Sequence, residues 1–159
     1  MNYDNIIHEV EINGKIFKIS PLPALLALRL DKKVVSIILP MFGEIGNLDQ
    51  ELQIGKMIQL LSNSLNAMSD QDFEKFVVDM LSTTIYMKDH SPPEQITKDK
   101  INSIFQSDII TIYKLIFEIM RYNKFSPFEL VEGGGGMFKT FFSENLIMKA
   151  EEFGKKLGT

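Results

Sequence analysis

Polar and apolar positions alternate at the start of the chain, where Val10 and Ile12 sit between Glu9 and Glu11. After Asn13-Gly14 the apolar positions resume at Ile16, Phe17 and Ile19. Asn-Gly between two such runs predicts a two-residue type I′ hairpin, because both central residues need positive φ. A lone hairpin is marginal in water, so it must rest on helices or pair with another edge. Ser20-Pro21-Leu22-Pro23 then ends strand pairing, and proline suits a first helical turn. The spacing predicts a helix over 23–39, with Arg29, Lys32, Lys33 and Ser36 on one face and Leu25, Leu28, Val35 and Ile38 supplying the rest. Pro40 is expected to end it.

A second helix is predicted near 48–68 from Ile54, Met57, Ile58, Leu61, Leu65 and Met68. Ser69 reads as the N-cap of a third, with Asp70 and Asp72 in its first turn and Phe73, Phe76, Val77, Met80, Leu81 and Thr84 on one side. Residues 85–95, with His90-Ser91-Pro92-Pro93, read as a surface loop. Thr97 caps a short helix in this reading. A helix over about 107–123 is apolar nearly all round, leaving Thr111, Lys114, Glu118 and Arg121 as its polar edge, and is expected to be the central helix. Ser126-Pro127 breaks the pattern, and Gly133–Gly136 form a linker with no side chains. Residues 137–159 again look helical and amphipathic.

These elements add up to a mainly α fold: a helical domain of about five to six helices, an N-terminal β-hairpin and a tethered C-terminal helix. The expected divisions are a domain over 1–132, the glycine linker 133–136 and the helix 137–159. With 159 residues the chain can bury a core without staples. Hydrophobic residues at 45% and charged residues at 24% are globular composition. Twelve Phe and nine Met supply adaptable apolar surface. The absence of cysteine excludes disulfides, thiolate metal sites and cysteine nucleophiles. A net charge of −4 speaks against nucleic-acid binding. No apolar run reaches membrane-spanning length, and the first residues lack a signal-peptide pattern.

Catalytic motifs are missing from the sequence. His8 and His90 fall in a strand and a Pro-rich loop and are expected at the surface. Asp70, Asp72 and Asp79 fit a helix start and its solvated side better than a metal cluster. Met137-Phe138 follows the glycines where a phosphate loop would place Lys or Ser/Thr. No cofactor and no metal are therefore expected, and the protein reads as one that holds another polypeptide. The residues expected to contact a partner are Phe125, Phe128, Phe138, Phe141, Phe142, Leu146 and Phe153. Two readings of the Phe-rich tail stay open: it folds back to complete its own core, or it docks into a groove on another copy or a partner. A junction at the glycine run, with 137–159 drawn from another reading frame, is a further alternative. Arg29, Lys32 and Lys33 form a small basic face, solvated by default or steering an acidic partner.

Phe17-Lys18-Ile19-Ser20-Pro21-Leu22-Pro23-Ala24 with Ala27-Leu28-Arg29-Leu30 resembles the opening of tail assembly chaperones of long-tailed bacteriophages. The stretch from Phe117 to Phe128 is similar to that family's late helix, and SDQDFEKFVVDMLSTT to its middle helix, so the resemblance covers about residues 10–130. It implies a chaperone that binds the tape measure protein, keeps it soluble, helps recruit tail tube protein, works in the host cytoplasm and is absent from the mature virion. It also implies that a longer form can arise by frameshifting, with the glycine run at a suitable place. Self-association is expected, with no nucleic acid or membrane partner. The alternative function is a small structural virion or connector protein.

Overall fold

The computed structural model describes residues 7–45 (with side chains as far as Ile38), 56, 59, 62–64 and 66–127. Strands β1 (His8–Ile12) and β2 (Lys15–Ile19) form the predicted hairpin, with Ile12 opposite Lys15. Asn13 at φ 50° and Gly14 at φ 79° supply the two positive values that a type I′ turn needs. Helix α1 (Ala24–Ile45) follows Pro21-Leu22-Pro23, and α2 (Asp70–Leu81) begins at Ser69, whose hydroxyl accepts from the Asp72 N–H at 3.1 Å. Strands β3 (Thr84–Met87) and β4 (Glu94–Gln95) come next, then α3 (Lys98–Phe105) and α4 (Ile109–Tyr122).

The strands form one antiparallel sheet in the order β1-β2-β3-β4. This overturns the expectation of a mainly α fold whose strands are confined to the hairpin. β2 pairs with β3, so Phe17 lies opposite Tyr86 and Ile19 opposite Thr84. The segment 85–95 reads as a loop in the sequence because both strands are short and β3 takes its longer pairing from β2, far away along the chain. Thr84-Ile85-Tyr86 nevertheless carries the β-branched and aromatic composition that suits a pleated surface. Ser20 N–H donates to the Thr83 carbonyl and the Thr83 hydroxyl donates to the Ser20 carbonyl, extending the β2–β3 pairing.

Side chains alternate across the sheet. One face carries Val10, Ile12, Phe17, Ile19, Thr84 and Tyr86, and most of it is buried. Phe17 stacks on Phe105 of α3 (centroids 5.8 Å apart) and leans on Tyr86 at 5.5 Å. The other face carries Glu9, Glu11, Ile16, Lys18, Ile85 and Met87 and is part-exposed, as one-sided antiparallel sheets commonly are. α4 packs against β1, α2 and α3, burying Leu115, Ile116 and Ile119. His8 stacks on Tyr122 at 5.6 Å. The Leu22 N–H donates to Asn123 Oδ1 at 2.9 Å, clasping the entry of α1 to the end of α4.

The chain divides into two compact units, one of residues 1–31 and 69–125, the other of 32–68 and 126–159. The sheet and α2–α4 belong to the first. Residues 56, 59, 62–64 and 66, within the second predicted helix, are helical. α1 runs through Pro40 to Ile45 rather than ending there; proline removes one N–H bond and strains the turn before it, but does not always stop a helix.

Thr84 is fully buried and its hydroxyl has no hydrogen-bond partner among the described residues. Valine has nearly the same shape and no hydroxyl to desolvate. Thr84→Val is expected to raise the unfolding free energy by about 1 kcal/mol, read as a higher urea midpoint at unchanged slope. A lower midpoint would mean that the hydroxyl is satisfied.

Candidate interaction surface

In α1 the buried positions recur every four residues, at Leu30, Val34 and Ile38, and half-buried Leu26 continues the same stripe towards the helix start. Leu25 and Leu28 fall outside that stripe and are 83% and 66% exposed. The sequence assigns them only to the side away from the basic face, because a helix start rich in leucine does not reveal which of its leucines point inward. The four-residue recurrence was the available signal. Arg29, one turn beyond Leu25, places its guanidinium 3.3 Å from Asp79 of α2, and Lys75 meets the same carboxylate at 2.9 Å. Two cations thus share one anion beside two solvent-facing leucines. The arrangement suits an amphipathic helix, its apolar side on the leucines and a carboxylate near the surplus positive charge.

Further apolar exposure lies at the start of α4, where Ile109 and Tyr113 are 58% and 44% exposed. The expectation that α4 is apolar nearly all round, with Thr111 on its polar edge, therefore needs correcting. Thr111 is fully buried beneath the hairpin turn. Asn13 Nδ2 donates to its hydroxyl at 2.9 Å, and that hydroxyl donates to Asp108 Oδ2 at 2.6 Å. Asp108 also caps α4 by accepting from the Thr111 N–H at 3.1 Å, and Lys15 approaches it at 3.6 Å. The Thr111 hydroxyl, above all, holds the Asp108 carboxyl below its ordinary range; the Thr111 N–H and Lys15 add to this, and desolvation opposes them.

Beside this network is an open cleft of about 770 Å³, bordered by Lys15, Tyr86, Lys88, Glu94 and the α3–α4 turn. Gln106 in that turn adopts φ 52°, unusual for a residue with a side chain. The cleft presents charges of both signs and mostly polar groups, with Lys15 already engaged by Asp108. Among the described residues no group of three or more His, Asp or Glu side chains is placed to hold a metal ion. No helix among them is long and apolar enough to cross a membrane.

The residues expected to contact a partner fall mostly outside the described part of the chain: Phe128, Phe138, Phe141, Phe142, Leu146 and Phe153, with the glycine run. Phe125 is described and is 2% exposed, its N–H donating to the Met120 carbonyl at 3.1 Å. In this conformation it belongs to the interior of the first unit. Arg29 and Lys32 are exposed and Lys33 is half-buried. Asp72 hydrogen-bonds Ser69, and Asp79 forms ion pairs with Arg29 and Lys75. His90 is exposed, whereas His8, expected at the surface, is half-buried by its stack on Tyr122.

Comparison with known families matches residues 13–136 to the model of the phage tail assembly chaperone protein, TAC. No curated protein and no solved structure matches the chain. The matched span takes in β2, α1 and every element through α4, and with them Leu25, Leu28 and the Asp108 network.

Proposed function

The chain belongs to the phage tail assembly chaperone family, and we propose that its client is the tape measure protein, held soluble in the host cytoplasm until tail tube subunits assemble around it. The exposure of Leu25 and Leu28 beside Arg29 and Lys75 carries this reading. A long helical client offers repeated apolar stripes, and a shallow leucine surface accepts many of them with little geometric demand. The protein acts by binding and release rather than by turning over a substrate, and leaves before the virion is complete. Residues 137–159, tethered by Gly133–Gly136, add a second apolar surface through Phe138, Phe141, Phe142, Leu146 and Phe153, which serves self-association or client capture.

Co-expression with the tape measure protein tests the proposal. The wild-type chain is expected to move the client into the soluble fraction and to elute with it. Leu25→Asp with Leu28→Asp should abolish both effects while leaving the circular dichroism spectrum unchanged, since both side chains face solvent. Solubility that is independent of the chaperone would sink the reading. Mass spectrometry of purified particles adds an independent check: stoichiometric presence of the chain there would indicate a structural virion protein.

A further inference from the structure

The two edges of the sheet differ. β4 is two residues long and follows Pro92-Pro93, which have no N–H to offer a further strand, so that edge is blunted. β1 is five residues long, contains no proline, and no backbone group among the described residues bonds to its outer side. The geometry of the turn fixes which groups face outward. In a two-residue hairpin the pair flanking the turn exchanges both hydrogen bonds, and bonded and non-bonded pairs then alternate. With Ile12 opposite Lys15, residues 12, 10 and 8 direct their backbone groups to β2. Glu9 and Glu11 therefore turn their N–H and C=O groups away from the sheet. Both side chains are exposed on its open face. Lys18 reaches Glu9 only at 3.9 Å, and no ion pair forms at Glu11 among the described residues.

We propose that β1 accepts an extended segment of a partner polypeptide with basic residues two positions apart, which adds to the sheet as an antiparallel fifth strand. Such a strand exchanges two backbone hydrogen bonds with Glu9 and two with Glu11. The residues opposite them lie on the same face as the two carboxylates, so lysine or arginine at both places forms two cross-strand charge pairs. The residue between these two faces the helix-covered side, next to half-buried Val10, and is expected to be apolar. A second copy of this chain fits poorly. Antiparallel pairing centred on Val10 sets Glu9 against Glu11, and centring on either glutamate sets it against itself. The chain itself also lacks the required segment: Lys98 and Lys100 are its sole lysine or arginine residues two positions apart, and they lie in α3.

The test uses the full chain and a synthetic peptide of alternating lysine and valine. Calorimetry gives the affinity, and amide hydrogen exchange by NMR locates the contact. Binding with new protection of the Glu9 and Glu11 amides is expected. Glu9→Lys with Glu11→Lys should weaken it at least about tenfold, and this variant should prefer a glutamate–valine peptide. If that variant does not fold, Glu9→Gln with Glu11→Gln should show a smaller loss, and N-methylation of the peptide amides that face β1 should remove binding to the wild type. Leu25→Asp with Leu28→Asp should bind the peptide as the wild type does, separating this edge from the client surface. The proposal is overturned if the peptide does not bind, or if affinity ignores both the glutamates and the N-methyl groups. It is equally overturned if the Glu9 and Glu11 amides are already protected without peptide, since the chain or a second copy would then occupy the edge.

Discussion

Phe17→Ala is expected to lower the unfolding free energy by about 3–5 kcal/mol. The Phe17 ring is fully buried, paired across strands with Tyr86 and stacked on Phe105 of α3. Truncation removes the ring's apolar contacts and leaves a hole that neither a β-strand nor a helix C-terminus can readily collapse to fill. Since whole domains are stable by only about 5–15 kcal/mol, the variant should be largely unfolded at modest urea concentrations. Equilibrium unfolding followed by far-UV circular dichroism checks this, with a reduced midpoint at similar slope as the expected result. A loss below about 1 kcal/mol would mean that the sheet and α3 do not share one core.

Asp108→Ala should have the second-largest effect. The carboxylate caps α4, accepts from the buried Thr111 hydroxyl and faces Lys15. Loss of an N-cap costs about 1–2 kcal/mol, and leaving the Thr111 hydroxyl without its acceptor places this case towards the upper end. The pH dependence has a definite sign. The Asp108 carboxyl is held low in the folded chain, so its stabilising contribution is fully present above the unfolded carboxylate pKa of about 3.9. It is lost as pH falls through the folded value. The difference between wild type and Asp108→Ala should therefore shrink towards low pH. Asp108→Asn should retain much of the capping but not the pH-dependent part. Urea midpoints measured from neutral to strongly acid pH decide the matter, and a difference that stays constant would refute the electrostatic account.

The legible parts of the sequence are those governed by local chemistry. Asn13-Gly14 specifies its turn because few other dipeptides take two positive φ values. Ser69 announces α2 through a hydroxyl three residues from the N–H that it caps. The illegible parts are settled by distant partners. β3 has no signal strong enough to separate it from the end of α2, and its strand state depends on pairing with β2. Thr111 looks like part of a polar edge because Asn13, which helps to satisfy its hydroxyl, is 98 residues away. Leu25 and Leu28 carry the same letters as buried leucines, and only the packing of α1 turns them outward.

The clasp between Leu22 and Asn123 spans 101 positions, and this has a bearing on how the protein is made. The hairpin leaves the ribosome early, yet its tip has no Thr111 to rest on and α1 has no Asn123 to anchor its entry until about a hundred more residues have emerged. At translation rates of about 5–20 residues per second, that interval lasts several seconds. During it the hairpin and the entry of α1 lack their distant partners, so the newly made chain is itself incompletely packed before it can protect any other polypeptide.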